Sequence, residues 1–181
     1  MAFALNYQSM RDDVVTVIET NNMFVPAETT ETYIRQLIKG RWIGSGPTPV
    51  LSVYVGGKTD ERPLTIGQTP LVEVAVTIQI LETIPGRNMT SAMKTLLGIT
   101  EVKTPEQADN EVMAIAQALE TWLRGDTTEA GIARRRLNSP VQEYRQVKLG
   151  PTTFDNYIYQ QGQSVSEAML QIVVEKRLID A

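Results

Sequence analysis

Residues 71–84 read Leu71-Val72-Glu73-Val74-Ala75-Val76-Thr77-Ile78-Gln79-Ile80-Leu81-Glu82-Thr83-Ile84. Successive side chains of a strand point to opposite faces. Val72, Val74, Val76, Ile78 and Ile80 therefore fill one face, and Glu73, Thr77 and Gln79 sit on the other. An alternation sustained this long suits an antiparallel sheet with one covered face. At the usual rise per residue the strand extends for roughly 40 Å. The interspersed Glu73, Thr77, Gln79 and Glu82 also exclude a membrane helix, which needs about 20 apolar residues in a row.

Working toward the C-terminus, Pro85-Gly86 ends this strand, and Ser91–Leu97 reads as a short helix. Thr104-Pro105-Glu106-Gln107 is a strong helix start, with threonine as cap, proline at the first helical position and glutamine at the third. Ala108, Val112, Ile115, Ala116, Leu119, Trp122 and Leu123 mark one face of the helix that follows, and Gly125 closes it. Glu143–Leu149 is a candidate strand that breaks at Gly150-Pro151, and Asn156–Gln160 is a short extended piece. Glu167–Ile179 sets Ala168, Leu170, Ile172 and Val174 against Gln171, Glu175 and Arg177, which predicts a second long strand.

Working toward the N-terminus, Gly56–Pro63 reads as a polar turn and Val50–Val55 as a strand. Gly44–Pro49 is a loop by composition. Tyr33, Ile34, Leu37 and Ile38 predict a short helix over Thr30–Lys39, stopped by Gly40. Met10, Val14, Val17 and Ile18 predict a first helix over Ser9–Thr20, with Ser9 as its cap. Strands arrive in groups and do not alternate with helices. The expected class is therefore α+β, with a mostly antiparallel sheet containing two long strands. An N-terminal helix and one long amphipathic helix flank it. No internal repeat stands out, and the length of 181 residues suits a single domain, 1–181, with a loop-rich insertion at about 85–104.

Composition removes several kinds of function. The chain has no cysteine and no histidine. That excludes a disulfide scaffold, a thiol nucleophile, a cysteine-based metal site, and the commonest general base and metal ligand. Met1–Met23 has no apolar segment of signal-peptide length, so a soluble, intracellular protein is expected. Charge is unevenly placed. From Glu101 to Glu129 seven acids, Asp109 and Glu111 among them, stand against two bases. From Arg134 to Lys148 five bases stand against one acid. Adjacent blocks of opposite sign suit contact between subunits or local pairing better than duplex binding, which asks for a broader basic surface.

The motifs that could carry chemistry each lack a companion. Gly57-Lys58-Thr59 resembles the end of a phosphate loop, but position 52 is Ser52 where that loop needs glycine, and Asp60-Glu61-Arg62-Pro63 follows in place of a helix. Ser91-Ala92-Met93-Lys94 has the spacing of a serine–lysine nucleophile without the accompanying motifs. Asp12–Asp13 and Asp60–Glu61 are neighbours in sequence and point in different directions. Glu106 and Asp109 share a helix face, where acids in the first turn already favour the helix dipole. No catalytic residue, cofactor or metal is expected, and the chain reads as a non-enzyme. Arg134, Arg135 and Arg136 fit solvated charge, a protein contact or nucleic acid, and no aromatic residue interleaves with them for base stacking. Trp42 fits either a core aromatic or an interface anchor. The interface candidates are Arg134, Arg135, Arg136, Glu111, Asp109 and Trp42.

The order of elements adds a resemblance. An N-terminal helix leads to Pro49-Val50-Leu51-Ser52-Val53-Tyr54-Val55. The long alternating strand, the capped helix Pro105–Arg124, Tyr144–Leu149 and the strand Ala168–Val174 follow. In this the chain, over roughly Ser9–Ile179, resembles the tail terminator family of tailed bacteriophages, small neck proteins that cap the tail tube. The long segment Pro85–Lys103 departs from that pattern. The resemblance implies a structural virion protein, located in the tail or neck and assembled in the host cytoplasm. It would form a homohexameric ring that caps the tail tube and joins the tail to the head-completion, or connector, protein. Genomic DNA would pass through the lumen without sequence-specific binding, and no membrane would be involved. The alternatives are a head–tail adaptor or stopper, or a non-viral α+β binding module.

Overall fold

A computed structural model of the chain describes residues 6–25, 33–44, 47–62, 71–84, 103–125, 144–158 and 163–177. Within them, five strands form one sheet in the order β1-β2-β3-β5-β4, and two helices accompany it. The strands are β1 Gln36–Lys39, β2 Val50–Arg62, β3 Leu71–Ile84, β4 Tyr144–Ile158 and β5 Ser164–Arg177. The helices are α1 Tyr7–Glu19 and α2 Pro105–Arg124. Only the β1–β2 pairing is parallel, and the other three are antiparallel. The class is α+β, as the grouping of strands predicts.

The alternating stretch 71–84 is the central strand, β3. It pairs with β2 on one side and, without a register break, with β5 over its whole length. Val72, Val74, Val76, Ile78 and Ile80 are buried in one core cluster, together with Met10, Val14, Val17 and Ile18 of α1. Val112, Ile115, Ala116, Leu119 and Leu123 of α2, and Ala168, Leu170, Ile172 and Val174 of β5, belong to it as well. Both helices therefore cover the same face of the sheet. On the opposite face Val50, Leu81 and Val165 form a smaller cluster, flanked by Ile38, Trp42 and Tyr157.

The start of α2 is built as the sequence predicts. The Thr104 hydroxyl accepts from the Gln107 amide at 3.2 Å, and the Gln107 side chain accepts from the Thr104 amide at 2.9 Å. At α1 the cap is one turn earlier than expected. The helix begins at Tyr7 because the Asn6 side chain accepts from the Ser9 amide, so Ser9 lies inside the first turn. After α1 a single 3₁₀ turn, Asn22–Phe24, buries Phe24.

Three expectations need correction. The helix expected over Thr30–Lys39 is not there in its second half, where Gln36–Lys39 is β1. Leu37 packs on the main core and Ile38 on the cluster of the other face, which is a strand's period and not a helix's. The spacing of Tyr33, Ile34, Leu37 and Ile38 is helical, and the backbone partners offered by Val50–Val53 override it. Next, Gly56–Pro63 is not a turn over Gly56–Arg62. The strand β2 runs on through Gly56-Gly57 to Arg62, with register irregularities at Val55/Gly57 and Lys58/Asp60 that absorb the glycines. Last, Gly150-Pro151 does not break the chain. It is an irregularity between Leu149 and Thr152 inside a continuous β4, which also takes in Asn156–Ile158. The helix expected at Ser91–Leu97, and almost all of the 85–104 insertion, lie outside the described residues.

Candidate functional site

Among the described residues, two places combine polar groups with burial. The first lies where the end of β3 meets the start of α2. Glu82 is two residues beyond Ile80, so its side chain points to the helix-covered face, and it is only 3% exposed. Its Oε1 accepts from the Thr48 hydroxyl at 3.1 Å and lies 3.4 Å from the Lys103 ammonium. Lys103 also pairs with Glu111, one and a half turns into α2. The Glu82 Oε2 is buried and has no hydrogen-bond partner among the described residues. Thr48 further accepts from the Thr83 amide at 3.4 Å, which fixes its hydroxyl over the strand.

Burial pushes the Glu82 carboxyl up to about 7, and the charge on Glu111 adds to that. Lys103 and the Thr48 hydroxyl act in the opposite direction. Burial works against the charge on Lys103, but its hydrogen bond to Glu111 and the two carboxylates outweigh that and hold its pKa above the ordinary lysine value. Three groups thus share one small region: two carboxyls and one ammonium. What the arrangement can do is exchange one proton near neutral pH.

The second place is the middle of the face that the helices leave uncovered. The Gln79 side-chain amide donates to Glu167 of β5, which is itself buried. Tyr54 of β2 directs its hydroxyl to the Met169 sulfur at 3.8 Å, and the Arg41 guanidinium stacks over its ring, 4.8 Å from the centroid. Burial raises the pKa of Tyr54, Arg41 counteracts this, and Glu167 adds to it. Farther along, the Lys148 ammonium lies 3.3 Å from Glu73.

Of the residues singled out in the sequence, those that the structure describes are not brought together. Glu111 is in the Lys103 pair, and Asp109, half-buried on the same helix, takes no part in it. Trp42 packs on the small cluster of the opposite face and is partly buried. Arg134, Arg135 and Arg136 lie outside the described residues, as do Ser91 and Lys94. Gly57-Lys58-Thr59 sits inside β2 and so offers no loop or helix end to a phosphate. Sequence reasoning missed Glu82 as a site residue. The signal was its position in step with Val72–Ile80, which places an acid on the covered face. Among the described residues no three acidic groups gather as a metal-binding set, and no helix is long and apolar enough to cross a membrane. Compared with known proteins, the sequence matches no family model and no curated relative.

Proposed function

We propose that this protein is a structural subunit of a phage neck: a tail terminator whose ring caps the tail tube and joins the tail to the head-completion protein. The observation that carries the reading is the architecture. A ladder of four long antiparallel strands has both helices on one face, which leaves the other face, with its mixed polar and apolar residues, and two outer strands, β1 and β4, for contacts. A head-to-tail ring joins two different surfaces of each subunit and closes by rotation. An outer strand can extend a neighbour's sheet. On β4, Phe154 and Ile158 lie on one face and are 53% and 77% exposed, apolar area of the kind that interfaces cover. The acidic block 101–129 and the basic block 134–148 supply opposite charge for the same neighbour contact. The partners in this reading are further copies of the chain, the tail tube protein and the connector, with DNA in the lumen.

Native mass spectrometry tests it. A hexamer, together with capping of isolated tail tubes seen by electron microscopy, supports the ring. A monodisperse monomer at high concentration and low salt, unchanged by added tail tubes, overturns it.

A further inference from the structure

The seam between β3 and α2 holds an imbalance of charge. Glu82 and Glu111 share one ammonium, that of Lys103. With all three groups ionised they carry one excess negative charge, and Glu82, which bears part of it, is almost wholly out of water with one oxygen unpartnered among the described residues. A buried carboxylate is costly unless it is fully paired. Among the described residues, the groups facing Glu82 are Thr48 from the segment before β2, Lys103 from just before α2, Glu111 of α2, and Ser166, its register partner, from β5. Glu167, the next acid along β5, has its side chain on the other face of the sheet with Gln79. Nothing else among the described residues offsets the extra charge.

We infer that the Glu82–Lys103–Glu111 cluster is a proton-controlled latch, which sets how firmly the first turns of α2 are held on β3. With a proton on Glu82 the cluster is neutral, and the helix start is held closed. Without it the seam keeps a buried negative charge, which opening the helix start to water relieves. The free energy of this opening is therefore linked to pH. The open form binds the Glu82 proton with the affinity of an exposed carboxyl, and the closed form binds it more tightly. The equilibrium constant for opening rises about tenfold per pH unit between these two affinities and levels off above the higher one. The value for the closed form, about 7, places that plateau near neutral pH.

Amide hydrogen exchange of Asp109–Val112, followed by NMR on the full chain and corrected for the intrinsic pH dependence of exchange, reads the opening constant. Between pH 5.5 and 7 it should rise about tenfold per unit in the wild type. Glu82→Gln should remove that dependence. Glu111→Gln leaves a balanced Glu82–Lys103 pair, so the plateau should be reached at lower pH. Glu106→Gln, an exposed acid on the same helix, should leave the profile as it is. An opening constant that does not vary with pH in the wild type overturns the inference. So does a Glu111→Gln profile that matches the wild type. All three variants are neutral isosteres, and a direct carboxyl-carbon titration of Glu82 in the wild type gives the same answer should any of them alter the fold.

Discussion

Phe24 and Trp122 meet ring against ring, 5.8 Å between centroids and tilted by 46°. Phe24 lies in the turn after α1 and Trp122 in the last turn of α2. The two helices are therefore tied to each other as well as to the sheet, although 98 positions separate the two rings. Tyr33 also stacks on Phe24, 5.9 Å between centroids, and brings in the segment that leads to β1. The turn after α1, the segment before β1 and the end of α2 meet at this one buried ring.

Phe24→Ala should therefore be among the most damaging single changes. Removing a fully buried phenylalanine costs about 3–5 kcal/mol. Chemical denaturation followed by tryptophan fluorescence measures it, and a midpoint equal to the wild type's would refute the packing described.

Thr104→Ala removes the hydroxyl that accepts from the Gln107 amide and should destabilise the protein by about 1 kcal/mol. Thr104→Ser keeps an acceptor there and should lose much less. Thermal unfolding of the pair separates the loss of the cap from the loss of a methyl group.

Gly57 has a φ of +140°, in a region that residues with a Cβ rarely enter. Gly57→Ala should cost about 1–3 kcal/mol through backbone strain, since nothing lies within 4 Å to clash with the new methyl. Gly56→Ala differs in kind, because a Cβ there meets the Thr77 hydroxyl oxygen at 2.9 Å. Combining it with Thr77→Ala should recover part of the loss, whereas the same second change should not rescue Gly57→Ala. Urea unfolding of the four variants distinguishes strain from collision.

Global stability should carry the signature of Glu82. Its carboxyl moves from 4.5 to about 7 on folding, so the folded chain keeps a proton that the unfolded chain releases. The associated stability is complete below pH 4.5, declines as pH rises through that window, and is flat above about 7. The whole decline is about 3 kcal/mol at most. Other carboxyls also titrate, so the quantity to measure is the difference between the wild type and Glu82→Gln from pH 4 to 9. Glu82→Gln should gain relative stability with rising pH up to about 7 and then hold constant. A difference that is flat throughout would contradict the burial and pairing of this group.

Local chemistry determined much of this fold. The alternation of residues 71–84 and 167–177 specifies strands wherever they lie, because one register alone places valine and isoleucine on the covered side. Thr104, Pro105, Gln107 and Gly125 specify the ends of α2 through bonds made within a few residues. The absence of cysteine and histidine is likewise a property of the chain alone. The assignment of Gln36–Lys39, by contrast, waited on the edge of β2. Leu37 and Ile38 belong to a helical stripe with Tyr33 and Ile34, and backbone bonds to a strand that begins eleven residues further on override it. Gly56-Gly57 and Gly150-Pro151 look like stops in isolation, yet pairing with β3 carries β2 through its irregularity, and pairing with β5 carries β4 through its own. The Glu82 cluster depended most on tertiary structure. Thr48, Lys103 and Glu111 stand 34, 21 and 29 positions from it in the chain. A carboxyl takes on an unusual affinity for its proton only when folding removes its water and chooses its neighbours. Sequence placed that acid in step with the core, and packing decided what the core would do to it.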